Sequence, residues 1–304
     1  MVSAHELQRK FGIPGIVTMS ERSPLYTVVH VQNEFATASM ALHGAQVLTF
    51  QPREHKPVIW LSRDAVYKES KAIRGGIPIC WPWFGAHPGG TLPAHGFVRN
   101  RFWQLESIDH IPGSYTRVVM TIRDDERTDS IWPHRFELRL EVLVGHELSL
   151  SLTMINPGAS TFEVTSALHS YFSVADVSRT SITGLEGVEY IDQLRDNAHQ
   201  VQTGPIAFEG ELDRVYQHTD GKIMIHDVGR KRQICIEKTG SQSTVVWNPW
   251  IGKSEAMDDF ERGGYKAMVC VETSNAGENK IRLPSESSHT LGTIISVKEN
   301  EICL

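Results

Sequence analysis

Residues 136–154 read FELRLEVLVGHELSLSLTM. In the first half Phe136, Leu138, Leu140, Val142 and Val144 alternate with Glu137, Arg139 and Glu141, and in the second Leu148, Leu150, Leu152 and Met154 repeat the same step. Successive side chains of a strand point to opposite faces, so a period of two marks a strand with one buried face. Gly145-His146 between the halves predicts a two-residue hairpin loop with glycine at its first central position, where positive φ is required. That register keeps both apolar sets on one face.

Working outward, β-rich runs recur at Tyr26 to Val31, Gln46 to Phe50, Val118 to Ile122, Thr161 to His169, Ile234 to Glu237, Thr244 to Trp247, Met268 to Glu272 and Leu291 to Val297. Gly, Pro, Asn and Asp punctuate them, which predicts an all-β, antiparallel sandwich and not alternating strand-helix units. The clearest helix is Ala4 to Phe11. With no Ser- or Gly-rich linker, low-complexity tract or internal repeat, residues 1–304 are expected to form a single domain, residues 1–15 being an N-terminal extension.

Composition narrows the partners. Of 304 residues, 40% are hydrophobic and 22% charged, near the average for a globular chain with a substantial core. A net charge of −6 leaves no broad basic surface, so nucleic acid and anionic membranes are not expected as partners, and any anion site must be local. Cys80, Cys235, Cys270 and Cys303 are far apart and form no CxxC pair, which reads as reduced core thiols. Glu6, Arg9 and Lys10 interrupt any apolar leader, and no run reaches the length of a membrane span. A cytoplasmic protein is expected.

Four features could carry chemistry. The stretch Arg74 to Asn100, RGGIPICWPWFGAHPGGTLPAHGFVRN, is too rich in glycine and proline for regular structure. It suits a long rigid loop that brings backbone close to a ligand, with Trp81, Trp83 and Phe84 as flat apolar surface. Arg74 and Arg99 bracket this loop, and a guanidinium is a planar fork of donors matched to phosphate oxygens, although most arginines are solvated surface charges. His169 ends a strand on which Thr165, Ala167, His169 and Tyr171 share a face. An imidazole there could donate a proton to an ether oxygen; the ordinary alternative is a packed, hydrogen-bonded histidine. Glu272 closes the strand AMVCVE beside Met268 and Cys270. Burial on that apolar face would raise its pKa toward the range of a general base, unless the strand has simply reached solvent.

No GxSxG elbow, Walker loop, GxGxxG or HExxH is present, which argues against serine hydrolysis and nucleotide cofactors. His87 and His95 lack the spacing of a recurring metal motif. No metal or cofactor is expected.

Taken in order, RGGIP at 74–78, HGFVRN at 95–100, ALHSYF at 167–172, LDRVY at 212–216, VVWNPW at 245–250 and VCVETSNA at 269–276 resemble the aldose 1-epimerase superfamily, and most of all its glucose-6-phosphate 1-epimerase branch. Each motif is weak alone; the ordered set is specific. The resemblance implies a large sandwich of the galactose mutarotase-like type that interconverts the α and β anomers of a hexose 6-phosphate, glucose 6-phosphate first among them. By motif match His169 is the proton donor and Glu272 the base. His95 corresponds to a second active-site histidine near the sugar ring, Arg74 and Arg99 to arginines near the substrate phosphate, and Asp213 to a carboxylate that receives sugar hydroxyls. Ala94 stands where this branch often has glutamine, which leaves the preferred hexose open. A monomer is expected.

Two rival readings belong to other classes. A carbohydrate-binding sandwich without chemistry would not need His169 and Glu272 together. A glycoside hydrolase usually pairs two carboxylates, for which Asp213 and Glu272 are the available candidates.

Overall fold

The computed structural model describes residues 2–23, 26–87 and 89–299; Cys303 lies outside them. The hairpin forms over Glu137–Val144 and Leu148–Asn156, with Val144 opposite Leu148, Val142 opposite Leu150, Leu140 opposite Leu152 and Leu138 opposite Met154. All of these side chains are buried. Each stabilises the fold by roughly 1.5–3 kcal/mol, and a slip of one residue would turn the whole set to solvent. The loop differs from expectation. Gly145, His146 and Glu147 make a three-residue connection, closed by the Gly145 N–H on Glu147 O at 3.0 Å. Gly145 does not take positive φ; a Cβ there would stand 2.9 Å from Ser114 O, so close approach and not backbone handedness excludes a side chain.

The two hairpin strands sit within a nine-stranded antiparallel sheet that also holds Gln104–Ile111, Tyr115–Arg123, Arg232–Thr239 and Ser287–Glu299. An eight-stranded sheet runs in the order Ala198–Val201, Glu189–Asp192, Leu212–Gln217, Ser243–Asn248, Met268–Asn275, Ser166–Leu168 and Ile79–Cys80, with Tyr171–Ser173 also paired to Met268–Asn275. Between the two sheets lies the core: Tyr216, Val246, Val269 and Val271 of one join Leu140, Leu152 and Ile295 of the other in a continuous apolar cluster. The antiparallel sandwich read from the sequence is therefore the architecture found. Thr27–Gln32, Ala36–Ala41 and Gln46–Pro52 belong to a further four-stranded sheet.

Helix Ala4–Phe11 forms over the expected residues. Ser3 accepts from the Glu6 N–H at 3.3 Å and Glu6 accepts from the Ser3 N–H at 3.1 Å, a reciprocal cap of otherwise orphaned donors. Leu7 enters the main cluster, and Gln8 Oε1 accepts the Met19 N–H at 2.7 Å, so the helix is docked on the sheet.

Two expectations need correction. The run Thr161 to His169 is not one strand: Phe162–Val164 pairs with Ile281–Leu283, whereas Ser166–Leu168 pairs with Met268–Asn275. Thr165 is spent at the switch, where its N–H donates to Pro82 O at 3.0 Å and its hydroxyl accepts the Phe84 N–H at 2.8 Å. The loop from Arg74 to Asn100 is not wholly irregular either, since it contributes the strand Ile79–Cys80 and a single 3-10 turn, Val98–Asn100.

Candidate active site

Register builds the site. Val245 is opposite Glu272 and Trp247 opposite Cys270, while Asp213 is opposite Trp247. With Val246 and Val271 turned into the core, alternation sends Asp213, Val245, Trp247, Cys270 and Glu272 to the outer face. On the other flank Leu168 pairs with Thr273 and Tyr171 with Cys270, one continuous register in which His169 falls directly across from Glu272. The ladder is interrupted at that step, for the Ser170 N–H turns back to Leu168 O at 2.8 Å and the His169 N–H donates to Pro78 O at 3.0 Å.

His169 Nδ1 lies 3.2 Å from Glu272 Oε1, out of line for a hydrogen bond. Neither Nδ1 nor Glu272 Oε2 has a hydrogen-bond partner, although Glu272 is only 1% and His169 7% exposed. Buried polar atoms without partners cost about 1–3 kcal/mol each, and a catalytic role is one of the few reasons for keeping them. Burial, and secondarily Asp213, pushes Glu272 well above the usual carboxylate range. Burial together with His95, Arg99 and Arg74 holds His169 well below an ordinary imidazole.

These groups open onto a cleft of about 360 Å³, within the range of about 300–1,000 Å³ that small-molecule pockets occupy. The six residues singled out in the sequence, Arg74, His95, Arg99, His169, Asp213 and Glu272, all line it. Arg74 follows Ile73 into the tight Gly75-Gly76 step, where a Cβ on Gly76 would come within 2.3 Å of Val47 O. Its Nε donates to buried Asp259 at 3.1 Å and its Nη1 to the Tyr171 hydroxyl at 3.3 Å. Arg99 uses Nη2 on Ala94 O at 2.9 Å and leaves a buried Nε unpartnered.

Lys253 adds a third cation to the lining. It stands on helix Trp250–Glu255, whose start is held by Asn248: its amide donates to Tyr265 O and Met268 O, both at 2.9 Å, and accepts the Trp250 N–H. Lys253 Nζ is 3.1 Å from Glu211 and 3.8 Å from Asp213. Asp213 accepts from Gln193 at 3.0 Å, and burial outweighs Lys253 to push its carboxyl up to about 6. His95 takes φ of 63°, a region costly for a residue with a side chain, and its N–H bonds Gly85 O at 2.7 Å. Burial, with Arg99, Arg74 and Lys253 nearby, drives His95 down to about 3, so its ring is neutral.

Sequence reasoning missed Gln193, Lys253 and Asp259. Trp247 could have been found, since it stands in the motif VVWNPW; Gln193 and Lys253 reach the cleft only through pairing and a turn. The loop tryptophans were misjudged as ligand surface. Trp81 is fully buried against Trp132 and Phe136, and Trp83 packs on Phe97, so only Phe84 of the three lines the cleft. His87 does not line it either. Among the described residues Cys80, Cys235 and Cys270 are buried free thiols, and His169, Cys270 and Glu272 form a set of possible metal ligands whose donor atoms lie within 4.8 Å of one another.

The description aldose 1-epimerase matches residues 27–296, nearly the whole chain. The chain belongs to the aldose 1-epimerase family. It is 41% identical over 244 residues to a Cenchrus ciliaris protein provisionally named glucose-6-phosphate 1-epimerase, covering 77% of this chain and 74% of that one. An Escherichia coli K12 protein with the same provisional name is 36% identical over 268 residues, 88% of this chain and 89% of its own. In structure the chain superposes on a Salmonella typhimurium protein provisionally described as a mutarotase with a TM-score of 0.89 at 32% identity, covering 95% and 96% of the two. Membership makes this epimerase an isomerase, and no helix among its described residues is long and apolar enough to cross a membrane.

Proposed function

We propose that the protein interconverts the α and β anomers of a hexose 6-phosphate, glucose 6-phosphate in the first place, as a cytoplasmic monomer that uses acid/base chemistry. The observation that carries this reading is the buried cross-strand pair His169 and Glu272, 3.2 Å apart and with unpartnered atoms, in a cleft lined by Arg74 and Arg99. The provisional names of the relatives in Cenchrus ciliaris and Escherichia coli support the same substrate.

Glu272 removes the proton from O1 as the C1–O5 bond breaks, the bonding pair moves to O5, and the His169 imidazolium protonates O5. The product is the open aldehyde. Rotation about C1–C2 presents its other face, and the transfers then run in reverse. A raised carboxylate is a stronger base and a lowered imidazolium a stronger acid, so both shifts favour the opening step once the pair holds a single proton on His169. The same shifts make that arrangement the less populated one. Arg74 and Arg99 supply the local cationic field for the phosphate, and Asp213 with Gln193 takes the ring hydroxyls.

Proton NMR exchange between the anomers of glucose 6-phosphate, galactose 6-phosphate and free glucose tests the proposal. Accelerated exchange with preference for a phosphorylated sugar is expected. Absence of exchange on all three, or release of reducing sugar from a glycoside, would overturn it.

A further inference from the structure

Cys270 has no part in the proton transfers, yet it sits two residues before Glu272 on the same face of the strand and shares the burial of the acid/base pair. We propose that His169, Cys270 and Glu272 form a binding site for a borderline-soft divalent cation, Zn²⁺ above all, whose occupancy inhibits the enzyme.

The geometry is close to that of such a site. Nitrogen or oxygen at about 2.0 Å and sulfur at about 2.3 Å from a tetrahedral ion stand about 3.3–3.5 Å from one another. His169 Nδ1 and Glu272 Oε1 are already 3.2 Å apart. The Cys270 sulfur lies within 4.8 Å of a ring nitrogen of His169 and of a carboxylate oxygen of Glu272, so a shift of at most about 1.5 Å brings it to ligand spacing. Nδ1 has no hydrogen-bond partner to surrender, and the second oxygen of Glu272 is likewise free of one. His169 and Glu272 line the cleft, which gives an ion a path from solvent to two of the three donors.

The donor set decides which ion. A mixed imidazole, thiolate and carboxylate triad suits Zn²⁺ or Co²⁺, whereas Mg²⁺ and Ca²⁺ prefer oxygen ligands alone. On binding, the thiol gives its proton to solvent and becomes a thiolate ligand. No redox change is involved. Glu272 and His169 are then held by the ion and cannot exchange protons with O1 and O5, so inhibition is competitive with the sugar and is reversed by a chelator.

The test has a readout independent of catalysis. Co²⁺ added to the purified, metal-free protein is expected to give a thiolate-to-metal charge-transfer band in the near ultraviolet, removed by Zn²⁺ competition and absent in Cys270→Ala. Zn²⁺ inhibition, scored against each variant's own metal-free rate, is expected to weaken by about 10- to 100-fold in Cys270→Ala and in Cys270→Ser, the scale on which even outer-shell partners of a metal ligand act. Circular dichroism establishes that the variants are folded, and two replacements of different polarity guard against a packing defect in one. No charge-transfer band in the parent, or equal Zn²⁺ inhibition in parent and both variants, would overturn the proposal. Anomer exchange by the metal-free enzyme is measured in the same series, so failure of the metal site and failure of the proposed activity are told apart.

Discussion

His169 and Glu272 face each other across adjacent antiparallel strands, held in one register by Leu168 opposite Thr273 and Tyr171 opposite Cys270. The consequence is a pair of ionisable groups whose separation is set by the sheet and not by side-chain flexibility, with Nδ1 and Oε1 at 3.2 Å. Tyr171 stacks on the His169 ring at 4.7 Å and 10°, which fixes its plane.

If Glu272 is the base, Glu272→Gln should lower kcat for anomer exchange by about 10²–10⁴-fold. KM should change little, because the amide preserves shape and hydrogen bonding. Exchange near the parent rate would remove Glu272 from the mechanism.

The pH dependence of kcat/KM, which reports the free enzyme, should be bell-shaped, since the pair works with one proton. Taking up a second proton requires charging His169, which burial and its cationic neighbours disfavour, so the acid limb is expected below the ordinary imidazole value of about 6.5. Losing the last proton ionises Glu272, which burial also disfavours, so the alkaline limb is expected above the ordinary carboxylate value of about 4.3. Both limbs belong to the pair and not to single residues. Residual activity of His169→Asn should lack the bell; an unaltered profile in that variant contradicts the pairing.

Arg99→Ala should reduce kcat/KM for glucose 6-phosphate about 30- to several-thousand-fold while leaving any activity on free glucose nearly untouched, the range for truncating one partner of a buried charge pair, about 2–5 kcal/mol. Equal losses on both substrates would assign Arg99 to the fold. Arg74→Ala behaves differently, because it deserts Asp259, 3% exposed, whose other cation is the more exposed Lys71 at 3.4 Å. An uncompensated buried charge costs up to about 3–5 kcal/mol, so the melting temperature should fall for Arg74→Ala and not for Arg99→Ala.

Asp213 links stability to pH. Its folded pKa of about 6 exceeds the unfolded value of about 3.9, so the folded state holds a proton that the unfolded chain has released. That contribution is complete below about pH 4 and is lost as pH rises through about 6. Asp213→Asn should therefore stabilise the protein relative to the parent by roughly 1–3 kcal/mol near pH 8 and much less near pH 4, read by calorimetry at both. A gain independent of pH would show that the carboxylate is not the strained group. Substrate affinity should fall in the same variant.

The hairpin from Phe136 to Met154 was legible because a period of two depends on local sequence alone, and the same holds for Ala4–Phe11, whose cap Ser3 and Glu6 announce. Glu272 and His169 were legible as candidates because a charged or titratable residue on an apolar strand is costly and needs a reason. Their juxtaposition was not. Residues 169 and 272 meet only because a strand broken at Thr165 re-pairs in register with Met268–Asn275, and register between distant strands is decided by which apolar faces must be buried together. Trp81 and Trp83 show the converse, since an aromatic in a glycine-rich loop reads the same whether it lines a ligand or fills the core. Lys253, Gln193 and Asp259 carry no local signal: a turn held by Asn248 and a strand pairing bring Lys253 and Gln193 to the cleft, and Asp259 is buried behind it against Arg74. The chain alone determined the sandwich and the kinds of groups available for chemistry; the tertiary packing decided which of them share one cleft, because distances between residues remote in sequence follow from burial and register, which no local pattern encodes.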